Sequence, residues 1–178
     1  MPLDPPLGPD DHATGPADAT ITLVQYGDLE CPYSKDVQSV AEDVRVRFPD
    51  QIRLVFRHFP LRYHPNALRA AIAAEEAGRQ GAFWAFHNRL FDHQLKLRAD
   101  QLVGHAEALG LDARAMQRAL DNETSKTEIL AQKKAGVNAG VGSTLNLWIN
   151  GELYEEDGLE TALVAKVINP LKAASGGQ

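Results

Sequence analysis

Cys31 is the single cysteine of this 178-residue chain, so an internal disulfide is impossible and a zinc site with several thiolates is excluded. What a lone thiol can do depends on where it sits. From Pro32 onward, Val37, Val40, Ala41, Val44 and Phe48 recur at the spacing of one helix face. Before the cysteine, Thr20 to Tyr26 carries Ile21, Leu23 and Val24 in a β-rich run that Gly27 and Asp28 break. The sulfur is therefore placed at the start of a helix that follows a buried strand. Unpaired backbone N–H groups and the positive end of the helix dipole favour a thiolate there. A lone cysteine is more often a small buried hydrophobe. The strand, turn and helix start around this one instead make it a candidate nucleophile, expected to be at least partly solvent-accessible.

Other reactive side chains read as less pointed. The six histidines, at 12, 58, 64, 87, 93 and 105, contain no i, i+4 pair, so no metal site is expected. His58 and His64 lie in a connection able to approach Cys31, although a loop histidine that only hydrogen-bonds is the plainer reading. Asp28 and Glu30 flank the cysteine, and a nearby carboxylate opposes a thiolate. Glu30 otherwise reads as solvated surface and Asp28 as a helix cap. Trp84 with Phe83, Phe86 and Phe91 reads as core packing between helices and sheet. Arg45, Arg47, Arg53, Arg57 and Arg62 alternate with acids and read as a solvated scatter.

The elements that must position Cys31 follow from periodicity and turn residues. Gln51 to Phe56 alternates as a second strand, and a helix between two strands predicts a parallel βαβ unit. Helices are predicted over Pro65–Ala77, opened by Pro65 and closed by Gly78, and over Ala82–Gln94. Two more run over Gln101–Leu109, capped by Asp100 and ended by Gly110, and over Ala113–Asp121, capped by Asp112. A further helix spans about Glu123 to Asn138. Leu145, Leu147 and Ile149 then alternate with polar or aromatic residues before Asn150-Gly151 and the short run Glu152 to Tyr154, a strong hairpin signal. Leu163, Val164, Val167 and Ile168 mark a last helix near Leu159 to Leu171. The order β-α-β, helical block, β-β-α describes an α/β domain over residues 20–178 with a helical insertion at about 62–138.

Several stretches resemble one family. Tyr26-Gly27-Asp28-Leu29-Glu30-Cys31-Pro32-Tyr33, Phe56-Arg57-His58-Phe59-Pro60-Leu61, His64-Pro65, the alanine-rich Ala70 to Gly78, Gln80-Gly81 and Phe83-Trp84 look like the DsbA-like branch of the thioredoxin superfamily. They come closest to its stand-alone and antiporter-fused bacterial members. The similarity runs through Ile149-Asn150-Gly151 and covers roughly Thr20 to Ile168. It implies a thioredoxin fold with an inserted helical subdomain, and thiol–disulfide exchange at a Cys-x-x-Cys motif on the first helix, with no cofactor.

The chain departs from that pattern twice. The second, resolving cysteine is replaced by Ser34, giving Cys31-Pro32-Tyr33-Ser34. A dithiol enzyme oxidises its substrate by giving away a stored disulfide, which one cysteine cannot hold. The family's Thr-Pro pair, whose cis proline faces the cysteines, falls at Thr144 and Leu145, where the proline is absent. A non-proline cis bond costs about 2.5–4 kcal/mol, so a trans bond and an altered substrate loop are expected, with Pro32, Tyr33, Thr144 and Leu145 lining the binding surface. Leu145 either leaves that surface more apolar or turns into the core in phase with Leu147 and Ile149. The resemblance thus implies a single redox cysteine, Cys31, with Ser34 at the resolving position. Its mixed-disulfide partners are proteins with thiols or disulfides, or small thiols such as glutathione. A non-catalytic binding or chaperone-like module is the alternative. A serine variant engineered to trap a partner is a third reading, which the missing proline argues against.

Composition narrows the rest. A net charge of −6 offers no basic field for nucleic acid or an anionic membrane surface, and no apolar run approaches the ~20 residues of a membrane span. Residues 1–19 hold Pro2, Pro5, Pro6, Pro9 and Pro16 among Asp4, Asp10, Asp11 and Asp18, with neither a basic start nor an apolar core. A flexible lead-in rather than a signal peptide is expected, and with it a cytoplasmic protein.

Overall fold

The computed structural model describes Leu3, residues 5–155 and residues 167–175. Their strands are β1 (His12–Thr14), β2 (Ile21–Gly27), β3 (Ile52–His58), β4 (Asn146–Ile149) and β5 (Glu152–Glu155). They form one five-stranded sheet in the order β1-β3-β2-β4-β5. β2 and β3 pair in parallel across the helix α1 (Pro32–Arg47), the expected βαβ unit, and the remaining pairings are antiparallel. Between β3 and β4 run α2 (Ala67–Arg79), α3 (Phe83–Asp92), α4 (Ala99–Ala108), α5 (Ala113–Asp121) and α6 (Lys126–Asn138), and α7 (Asn169–Ser175) follows the sheet. Among the described residues no helix is long and apolar enough to cross a membrane.

Both faces of the central strands are covered, which explains why β2 and β3 are buried almost without alternation. On one face Val37, Ala41 and Val44 of α1 pack on Ile21, Leu23, Leu54, Leu147 and Ile149, joined by Val167 and Leu171. On the other, Val24, Tyr26 and Val55 meet Trp148, Phe59 and Val141. The alanine-rich α2 forms a third cluster with Phe86, Leu90, Leu102, Met116 and Ile129. Its small side chains let neighbouring helices approach closely, and Trp84 packs against both this cluster and the α1 face.

Close approach also fixes Gly136 in α6. A Cβ there would lie 2.8 Å from the ring of the fully buried Tyr26. Glycine to alanine ordinarily gains about 1 kcal/mol inside a helix, whereas overpacking costs about 1–3 kcal/mol. Gly136→Ala is therefore expected to lower stability by about 1 kcal/mol, read from the midpoint of urea unfolding. A raised midpoint would show that the Tyr26 ring yields without penalty.

Element ends depart from expectation for identifiable reasons. The first strand precedes Thr20: His12, Ala13 and Thr14, in the segment expected to be a flexible lead-in, pair with Phe56, Val55 and Leu54. Gly78 does not close α2, which continues to Arg79, and the chain turns at Gly81, whose φ is 77°. Pro65 stands before the N-cap Asn66 rather than inside the helix. The α4 N-cap is Arg98, with Asp100 in the first turn, because Gln101 Oε1 reaches back to accept the Arg98 N–H at 3.1 Å. α6 starts at Lys126 rather than Glu123, since Glu123 takes a left-handed φ of 48°. Asp112 caps α5 as expected, accepting the N–H groups of Arg114 and Ala115. Asn150 and Gly151, with φ of 49° and 85°, make the two-residue turn that the β4–β5 hairpin requires. Of the expected last helix, residues 159–166 lie outside the described residues.

Candidate functional site

The turn from β2 into α1 carries the reactive group. Cys31 is the N-cap of α1, with φ −85° and ψ 123°, no side-chain cap, and Pro32 in the first turn. Its N–H donates to the Asp28 carbonyl at 3.0 Å and its own carbonyl accepts from Lys35. Helix-terminal N–H groups not claimed by a capping side chain are thus left beside the sulfur. The expected exposure of the thiol is not found. Cys31 is 2% exposed, and its Sγ lies 3.1 Å from Thr144 Oγ1. The loop before β4 packs over the sulfur, and that is the physical cause of the burial. Pro32 and Tyr33, next in the chain, are exposed, Tyr33 by 58%.

Ser34 points elsewhere. It is fully buried, and its Oγ accepts the Asp28 N–H at 2.9 Å while the Gln25 side chain donates to its carbonyl. The residue at the resolving position therefore holds the end of β2 against the first turn of α1.

Thr144 and Leu145 are placed by a side chain rather than by the sheet. The fully buried Asn146 accepts the Tyr26 N–H through Oδ1 and donates through Nδ2 to the carbonyls of Tyr26 and Ser143. Its amide extends the β2–β4 ladder beyond the backbone pairs Leu23–Ile149 and Val24–Trp148 and seats the Ser143–Leu145 loop over Cys31. Leu145 donates its N–H to Ser143 Oγ at 3.3 Å, and its partly buried side chain joins Leu147 and Ile149 in the α1-side core. Of the two expectations for Leu145, the core-facing one describes the structure.

The acidic residues tie this turn to the helical block. Asp28, expected as a helix cap, is a buried hub: Oδ1 accepts from Glu30 N–H, and Oδ2 from Leu61 N–H and His64 Nδ1, each at 2.8 Å. Glu30, expected on the surface, accepts both the backbone N–H and the side-chain amide of Asn66, at the start of α2. From beyond α3, Gln94 donates to the carbonyls of Leu29 and Cys31. His64 therefore partners Asp28, and His58 is drawn to Glu75 instead, 3.2 Å away. The positioning roles of Gln94, Asn66 and Asn146 leave no mark in the sequence, because each depends on contacts far along the chain.

Known proteins resemble this chain in sequence and in fold. The chain is 39% identical over 151 residues to the Na(+)/H(+) antiporter NhaA 1 of Salinispora arenicola, a match over 84% of this chain and 23% of that protein. The chain thus spans about a quarter of the length of the curated relatives it matches. Among solved structures, oxidised BdbD of Bacillus subtilis superposes with a TM-score of 0.77 at 21% identity, covering 90% of this chain and 92% of that one. A thioredoxin-like oxidoreductase from Silicibacter pomeroyi gives 0.74 at 24% identity, covering 89% and 93%. The thioredoxin family model Thioredoxin_4 matches residues 8–167. That span includes the strand, the cysteine turn, the inserted helices and the hairpin. The chain belongs to the thioredoxin family, with the fold of its DsbA-like members.

Proposed function

We propose that this protein performs thiol–disulfide exchange through Cys31 alone. The observation that carries the reading is the sulfur's place at the uncapped N-terminus of α1, beside Thr144 Oγ1. In the proposed cycle, the Cys31 thiolate attacks one sulfur of a substrate disulfide. The Cys31–substrate S–S bond forms, and the other sulfur leaves as a thiolate that takes up a proton from water. A second thiolate, from glutathione or a protein cysteine, then attacks the substrate sulfur of the mixed disulfide and regenerates the Cys31 thiolate. Electrons pass from the second thiol to the original disulfide, and none are stored in a protein with one cysteine. A cytoplasmic setting, where small thiols are kept reduced, suits that resolving step. Exposed Pro32 and Tyr33 offer the surface on which a partner lands, and the Thr144 loop must move aside to uncover the sulfur.

The burial of Cys31 favours a second reading, a binding module that keeps the fold without exchange chemistry. The two separate by experiment. Native protein incubated with oxidised glutathione is expected to gain one glutathione by intact mass, and Cys31→Ser to gain none. Modification only after unfolding in urea, with none of the folded protein, would overturn the exchange reading in favour of the binding module.

A further inference from the structure

On the far side of β3 from the cysteine turn, three side chains distant in sequence converge. His12 Nε2 lies 3.0 Å from Glu75 Oε1, and His58 Nε2 lies 3.2 Å from the same oxygen. All three ligand-capable atoms fall within 4.8 Å of one another. They come from β1, β3 and α2, and no spacing rule joins positions 12, 58 and 75. We propose that His12, His58 and Glu75 form a binding site for a divalent transition cation of the zinc type.

A simple hydrogen-bonded triad leaves one atom unexplained. His58 is 1% exposed, and its Nε2 makes no hydrogen bond although Glu75 Oε1 lies 3.2 Å away. A buried nitrogen without a partner costs about 1–3 kcal/mol, and a cation between it and the carboxylate removes that cost. The spacing fits. Zinc–nitrogen bonds of about 2.0–2.1 Å set tetrahedral ligands roughly 3.4 Å apart, close to both distances to Glu75 Oε1. Two imidazoles and a carboxylate are also a donor set that zinc accepts, with a fourth position left to water. A pocket of 350 Å³, lined in part by His12, Gly78, Phe83 and Trp84, opens beside His12 and gives that water access.

The surroundings hold the donors ready. The His12 ring stacks on Phe83 with centroids 3.5 Å apart, and His58 meets Phe56 and Phe83 edge-on. A metal here would clip the edge strand β1 and its neighbour β3 to α2.

The test uses the full chain, stripped with a chelator and titrated with Zn²⁺ by calorimetry. One equivalent is expected to bind, with affinity at least tenfold weaker in His12→Gln and in Glu75→Gln and unchanged in Cys31→Ser. Because the substitutions can perturb folding, the zinc-loaded native protein is also measured by X-ray absorption. Nitrogen and oxygen ligands without sulfur are expected. No saturable uptake, unchanged affinity in His12→Gln, or a sulfur ligand to the zinc would each overturn the site.

Discussion

Arg57→Met is expected to cost about 3–5 kcal/mol of folding stability, the range for removing one partner of a buried ion pair. The Arg57 guanidinium donates to both carboxylate oxygens of Asp11, at 2.7 and 2.8 Å, to the carbonyls of Pro5 and Pro6, and to Tyr26 Oη. The two side chains are 5% and 9% exposed. Removing the cation strands the largely buried Asp11 charge and takes a donor from the Pro5 and Pro6 carbonyls. The same pair sets an acid limit. Burial works against ionisation of Asp11, yet Arg57 and the Gly8 N–H outweigh it and hold the carboxyl below its ordinary 3.8. Since the folded state binds the proton less readily than the unfolded chain, this contribution is present above about pH 4 and is lost as pH falls through the depressed value. Urea unfolding at pH 7 and pH 3 reads both effects. A loss under 1 kcal/mol for Arg57→Met at pH 7 would show that the N-terminal residues do not stabilise the core.

The second large effect is a gain. Ser34→Cys is expected to create an internal disulfide with Cys31, since the resemblance to Cys-x-x-Cys enzymes implies that two residues at this spacing can meet disulfide geometry. The native Ser34 hydroxyl accepts the Asp28 N–H, a contact that a thiol makes poorly and whose loss costs about 0.5–1.5 kcal/mol. Oxidised Ser34→Cys should lose the mass of two hydrogens and resist glutathione addition. Insulin reduction is expected to rise above that of the native chain yet stay low, because Leu145 is packed into the core beside β4 and offers no proline edge for a peptide to pair with. Adding Leu145→Pro should raise it further. If Ser34→Cys formed no bridge under oxidant, the turn geometry assigned to Cys31 would be refuted.

Much of the fold was legible because hydrophobic periodicity is local. The βαβ unit, the Asp112 cap and the Asn150-Gly151 hairpin each follow from residues a few positions apart. What stayed hidden depends on side chains separated by tens of residues. Arg57 reads as one basic residue in a scatter until Asp11 and the Pro5 and Pro6 carbonyls are seen around it. Asn146 is a polar residue in an apolar run, and only the Tyr26 backbone explains it. Glu123 looks like a good helix opener, but its left-handed φ delays α6. At the site, the strand and helix start placed Cys31 correctly, while its burial was set by a loop more than a hundred residues away.

The short strand β1 has a bearing on where this molecule can be cut. Periodicity alone would draw the boundary of the folded unit at Thr20, and a shortened protein starting there would keep β2, α1 and the cysteine turn. It would also strip the outer side of β3. The main-chain groups of Leu54, Val55 and Phe56 that now face Thr14, Ala13 and His12 would become an open edge, and an open edge of apolar residues is a template for pairing with another chain. The three residues of β1 thus cover the outer side of β3, and the usable boundary lies ahead of Pro5, where the chain begins its hold on Arg57.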